Sequence, residues 1–166
     1  MKITNTQRVS YPACRFIGRK YLDGDRANNG SFGHKWGEWF QNGWFEPLEK
    51  LDALAESGDA YVGLMREADP FEYWIGMFFP AGTEAPEGCE WTDLPAMDYG
   101  VCWLYGKEDT GELYGMDAHS RALASIQEKG MAPKPGGYMF ELYNCPRFTT
   151  PDEQGNVILD YGIEVI

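Results

Sequence analysis

The chain has 166 residues, room for one domain and not for a separate reader domain beside a catalytic one. Lys and Arg number 14 against 26 Asp and Glu, a formal net charge of −12; such a field repels phosphate backbones and anionic headgroups, which disfavours direct nucleic-acid or membrane binding. Aromatic residues make up 15% of the chain, with 6 Trp, 10 Tyr and 9 Phe, so either the core is unusually aromatic or rings line a pocket.

From the N-terminus, Tyr11 to Leu22 is apolar and basic by turns, placing Cys14, Phe16 and Gly18 on one face of a first strand. A polar, Gly/Asn-rich loop over Asp23–Gly33 follows. Trp36, Phe40, Trp44, Leu48, Leu51 and Ala55 then recur every three or four residues, the stripe of a helix. Asn42-Gly43 and Pro47 interrupt it, which predicts a kink or two abutting helices, the second starting near Glu46 with Pro47 in its first turn. Ser57-Gly58-Asp59 stops the pattern, and Tyr61–Glu67 and Tyr73–Pro80 form a hairpin joined through Asp69-Pro70.

A turn-rich bridge over Ala81–Gly88 leads to a second series: a strand at Met97–Tyr105, a charged loop at Lys107–Gly111 and a proline-free helix at Tyr114–Lys129. That helix carries Met116, Leu123 and Ile126 on one side and Gly130 just beyond its end. Pro133, Pro135 and Gly136-Gly137 link it to a strand at Tyr138–Cys145, and Val157–Ile166 closes the chain. Each half reads strand, helix, strand, strand. The fold expected is α+β, with duplicated βαββ units over about residues 1–80 and 81–166. They share one antiparallel sheet with two helices and a central ligand cleft.

Cys14, Cys89, Cys102 and Cys145 lie far apart without zinc-ligand spacing and read as buried free thiols. No charged-then-apolar leader opens the chain and no apolar run approaches the ~20 residues that span a bilayer, so a cytoplasmic, reduced protein is expected. Nucleotide-binding, zinc-protease and serine-elbow signatures are absent. The two histidines, His34 and His119, fall at or within predicted helices and suit structural roles. No metal or cofactor is expected, haem included, because neither histidine is placed as an axial ligand.

The informative segment is Tyr138-Met-Phe-Glu-Leu-Tyr143. Alternation sets Met139, Glu141 and Tyr143 on one face and Tyr138, Phe140 and Leu142 on the other. By period alone, Glu141 is either a buried acid, with a raised pKa or a cation beside it, or a solvent-facing carboxylate on an edge strand. A buried acid among ring faces suits flat or lipophilic cations.

The hairpin Tyr61-Val-Gly-Leu with Phe71-Glu-Tyr-Trp-Ile-Gly76, the segment Leu94-Pro-Ala-Met-Asp-Tyr-Gly100, and Phe140-Glu-Leu-Tyr143 before a terminal strand resemble the GyrI-like effector-binding family. That family includes the gyrase-inhibitory protein and the drug-binding domains of multidrug-responsive transcription activators. The resemblance runs from about Tyr11 to Ile166. It implies a central pocket with Glu141 as the ligand-facing acid, and Tyr143, Trp39, Trp36, Tyr105, Trp103, Tyr73 and Tyr161 as candidate pocket residues. Of the terminal strand, Asp160, Tyr161 and Glu164 all remain candidates to approach the pocket. With no helix-turn-helix segment to be read in it, the chain is expected to act as a stand-alone version.

Three functions follow from this reading. The first is capture or sensing of a small amphipathic, cationic aromatic ligand. The second, permitted by the resemblance, is hydrolysis of reactive cyclopropane-bearing compounds by Glu141 as acid/base with Tyr143 or Tyr105 as donor. The third is a protein partner, gyrase or a regulator, engaged through the acidic surface.

Overall fold

The sheet begins nine residues earlier than the sequence pattern suggests. The computed structural model describes residues 1–143 and 145–166. Their elements, in chain order, are β1 (Lys2–Tyr11), β2 (Cys14–Tyr21), a 3-10 turn at Asp23–Asp25, α1 (Gly33–Asn42), α2 (Glu46–Glu49), β3 (Val62–Arg66) and β4 (Glu72–Pro80). There follow β5 (Glu90–Leu94), β6 (Met97–Gly106), α3 (Gly115–Glu128), β7 (Tyr138–Leu142), α4 (Pro146–Thr149) and β8 (Val157–Val165). The strand expected over Tyr11–Leu22 is therefore two: β1 ends where that strand was to start. Pro12 has no N–H to give the ladder, and the pairing breaks there.

The same device recurs at Leu94-Pro95-Ala96-Met97, which divides β5 from β6. The two junctions lie side by side, because Tyr11 opposes Met97 and Cys14 opposes Leu94. Each repeat is thus ββαββ rather than βαββ, and its leading strand pairs with the other half: β1 on β6, β5 on β2. The eight strands form one antiparallel sheet in the order β1-β6-β8-β7-β3-β4-β2-β5, with β7 and β3 at the seam of the halves.

The sheet curls. In a flat sheet β4 and β6, four strand steps apart, would be about 19 Å from each other. The Tyr11 ring nevertheless sits 5.4 Å from Phe78 on β4 and 5.3 Å from Tyr99 on β6. The inner face closes on Phe16, Val62, Leu64, Phe78, Tyr99 and Phe140, all buried. Four helices are present among the described residues where two were expected; α2 and α4 are single turns.

The outer face carries α1 and α3. Helix α1 ends at Gly43, whose φ of 63° is the left-handed cap conformation that glycine adopts without a Cβ clash. Helix α2 starts at Glu46 with Pro47 in its first turn, as the sequence predicts. The helical period expected to run on to Ala55 stops at Glu49. Leu48 packs with the α1 cluster, whereas Leu54 donates its N–H to Phe78 O and joins the inner core. The apolar spacing there marks a chain passing from one face of the sheet to the other. Helix α3 seats on Ala118, Ala122 and Ile126 against Cys102, Leu104 and Leu159; Met116, expected on that side, is exposed.

The expected strand to Cys145 ends at Leu142, and Asn144 falls outside the described residues. Of the four thiols, Cys14 and Cys102 are buried as expected, but Cys89 and Cys145 are only half-buried. Among the described residues no helix is long and apolar enough to cross a membrane.

Candidate functional site

Helices α1 and α3 each cover their own half of the outer face, and the β3–β7 seam between them is left open. A cavity of about 820 Å³ occupies that space. Its α1 side is built by Trp36 and Phe40 with Phe32, its α3 side by Tyr114 and Gly115, and its floor by Met65, Tyr73, Glu141 and Tyr143. Tyr61, Phe71 and Phe148 complete the rings, while Arg26 and Glu108 also line it.

The floor is organised around Glu141. Alternation along β7 turns it to the outer face, where it is 9% exposed. Its cross-strand partners are Gly63 on β3 and Tyr161 on β8. The Tyr143 hydroxyl donates to Glu141 Oε2 at 2.8 Å. Burial raises the carboxyl pKa from 4.5 to about 7, and the Tyr143 hydrogen bond only partly opposes this. Among the described residues no cationic side chain comes within ion-pair distance of it.

The phenols around it stay protonated. Tyr73, Tyr143, Tyr114 and Tyr161 all have pKa values raised by burial in the first place, with the Glu141 charge adding to each. Near pH 7 the carboxyl is thus the titrating group of a floor otherwise made of neutral donors and ring faces.

The wall rings are fixed by mutual contacts. Tyr73 stacks on Phe32 with centroids 4.4 Å apart, and its hydroxyl accepts from Trp36 Nε1 at 2.8 Å. Phe45 stacks on Tyr61 at 3.8 Å, and the Tyr61 hydroxyl is held by the Glu49 carboxylate. The Arg26 guanidinium lies over Phe32 and Phe71, paired to Asp23 at 2.8 Å. Rings held this way lose little freedom when a ligand enters.

Gly63 makes room for the acid. A Cβ at this position would lie 2.8 Å from the Tyr73 hydroxyl and 3.3 Å from Glu141 Oε2. Because Tyr73 is clamped by Phe32 and Trp36, it has little freedom to yield. Gly63→Ala is expected to lower stability by about 1–2 kcal/mol, measured by denaturant unfolding, and to displace the carboxylate from the floor.

Of the eight candidate residues, the structure brings Glu141, Tyr143, Trp36 and Tyr73 together on the cavity wall. Trp39 is elsewhere: it is fully buried under α1, donating to the Tyr21 hydroxyl at 3.0 Å, because on the helix it lies about 60° round from Trp36 and about 100° from Phe40, on the side that meets the sheet. Trp103 faces the inner side of β6, with Arg147 over its ring. Tyr105, at the end of β6, is bonded to Asp152 and Asn156. Tyr161 shares the outer face with Glu141 but bonds His119 Nδ1 at 2.9 Å and is not on the cavity surface. Asp160 and Glu164 alternate to the opposite face, paired with Arg147 and Lys134 at 2.6 Å each.

The pattern reading missed Phe32, Tyr114, Phe40 as a mouth residue, and Phe148. Phe32 and Tyr114 stand immediately before α1 and α3, where periodicity carries no information; a large ring directly preceding each helix in both halves is the signal available.

No family model and no curated protein matches the chain. Solved structures do. A putative bacterial transcription regulation protein from Staphylococcus aureus MU50 superposes with a TM-score of 0.69 at 15% identity, covering 97% of both chains. The protein SAV2435 bound to tetraphenylphosphonium gives 0.71 at 15% identity, over 98% of this chain and 94% of that one. EcmrR, in complex with DNA, gives 0.58 at 9% identity, and this chain spans 57% of its length. At these identities the likeness is one of fold: the chain shares the architecture of a putative transcription regulation protein and of a protein solved with tetraphenylphosphonium bound.

Proposed function

We propose that this chain is a small-molecule binding protein of the GyrI-like effector-binding kind, taking up amphipathic aromatic cations with Glu141 as counter-charge. The observation that carries the reading is a buried carboxyl, without a cationic partner among the described residues, at the floor of a ring-lined cavity. A desolvated carboxylate is costly unless paired, and a ligand cation supplies the missing charge. Ring faces such as Trp36, Tyr73 and Tyr143 add roughly 0.5–2 kcal/mol per well-placed cation contact. The fold shared with a protein that holds tetraphenylphosphonium supports the same choice of ligand class.

Trp36 reports on occupancy, since it lines the cavity and bonds Tyr73. Titration with tetraphenylphosphonium is expected to change tryptophan fluorescence saturably, and the compound is expected back unchanged in mass. No saturable change would refute binding. For a cyclopropane-bearing electrophile incubated with the protein, a product gaining the elements of water, lost in Glu141→Gln, would replace capture with hydrolysis.

A further inference from the structure

The cavity does not end the open seam. Further along it, between α3 and the chain turn at 133–137, lies a second hollow of about 230 Å³ lined by His119, Leu123, Met139 and Glu67 among others. The two hollows share one floor. On the outer face of β3, alternation puts Gly63 and Met65 in a row; on β7 it puts Glu141, then Met139 beside Met65. Glu67 follows the end of β3, in a turn where the Ala68 N–H donates to Arg66 O at 3.0 Å, and lines the smaller hollow from there. Met65 lines the large cavity and Met139 the smaller one, so this directly opposed pair stands between them. Tyr161, beside Glu141, bonds His119 of the smaller hollow and continues the divide.

Two methionines are an adaptable partition. Their unbranched thioether chains have several accessible rotamers and make good contacts with apolar chains and rings alike. Both are half-buried, so neither is locked into the core. Beyond them stands a second acid. Glu67 is exposed and, among the described residues, forms no ion pair, whereas Glu164, which meets the hollow only at its margin from the other face of β8, is taken by Lys134. Gly63, the residue opposite Glu141, is three residues, or about 10 Å of strand, from Arg66 at the end of β3, and Glu67 comes directly after that end.

We infer that the smaller hollow is a second subsite continuous with the cavity across the Met65–Met139 pair, and that the seam takes extended two-headed cations, one head at Glu141 and the other at Glu67. This rests on the cation-binding reading of the cavity and adds to it the length and charge of the ligand. The apolar linker of such a compound lies across the methionines. A single-headed cation uses Glu141 alone.

The test compares N-decylquinolinium with the bis-quinolinium joined by ten methylenes, titrated into the parent protein, Glu67→Gln and Met139→Phe. The dication is expected to bind the parent at least tenfold tighter than the monocation. Glu67→Gln is expected to lower dication affinity three- to fivefold and leave tetraphenylphosphonium unchanged, and Met139→Phe to reduce the dication's advantage while folding normally by circular dichroism. A dication advantage of twofold or less, which two identical heads give by statistics alone, overturns the inference, as does an advantage indifferent to Glu67→Gln. Absence of any Glu141-dependent monocation binding is a different result: it overturns the cavity reading and this inference with it.

Discussion

Glu141→Gln is expected to weaken binding of tetraphenylphosphonium by about 30–100-fold while leaving a neutral aromatic compound of similar size within about twofold of its parent affinity. Gln keeps the side-chain volume and can still accept from the Tyr143 hydroxyl, which bonds Glu141 Oε2 at 2.8 Å. What it removes is the charge. Truncating one partner of a desolvated ion pair costs about 2–5 kcal/mol, and the lower part of that range applies because the cavity retains its rings. The parent's affinity for the cation should also fall with acidity below pH 7 and level off near pH 5, close to the affinity of the variant. The carboxyl titrates at about 7 in the empty cavity and must ionise to pair. The variant's affinity should be flat over the same range. Equal affinity of parent and variant for the cation, measured by fluorescence titration, would contradict the assigned role.

The second large effect concerns stability without ligand. Burial holds the folded carboxyl at about 7 against an ordinary value of 4.5. Below pH 4.5 both folded and unfolded chains carry the proton. Between the two values the unfolded chain ionises first, so stability from this group is fully present at acid pH and is lost as pH rises through about 7. The loss amounts to about 3 kcal/mol. Gln carries no such penalty. Glu141→Gln is therefore expected to be more stable than the parent at pH 8 by up to about 3 kcal/mol, roughly 6–12 °C in Tm for a chain of this length, and the gap should close near pH 4.5. Taking the difference at each pH cancels the other carboxylates, including Asp160, which burial raises and Arg147 lowers. A gap independent of pH would mean that Glu141 is not desolvated. Added cation should reverse the order at pH 8, stabilising the parent selectively.

How much of this was legible in the sequence differs by element. Period two over Tyr138–Leu142 grouped Glu141 with Met139 and Tyr143 but left two faces open, and the burial of that face comes from the helices packed on the sheet. Strand β1 escaped the pattern since, as a sheet edge, it buries only Tyr11 and mixes polar residues on both sides. Strand β5 is five residues long and mostly exposed, so alternation has almost nothing to act on. The shared Pro-Ala pair at 12–13 and 95–96 was the sequence mark of both junctions.

The aromatic residues divided on geometry that spacing does not encode. Trp36 and Trp39 are three apart on one helix, yet one lines the cavity and the other is sealed under it; the difference is set by where α1 rests on Tyr21 and Tyr73. Tyr105 and Trp103 are two apart on β6 but meet Asp152 and Arg147 respectively, contacts made by the turn before β8 and by α4. Glycine at position 63 is read as a weak strand residue in sequence, and only the register opposite Glu141 gives it a purpose.

Proton release on binding tests the central claim most directly, since it reports the ionisation of the buried acid by the ligand itself. Calorimetric titration of the protein with tetraphenylphosphonium at pH 7, in two buffers of different ionisation enthalpy, should show about half a proton released per cation bound and none in Glu141→Gln. Saturable binding with no proton release in the parent, or the same release in the variant, would contradict the account.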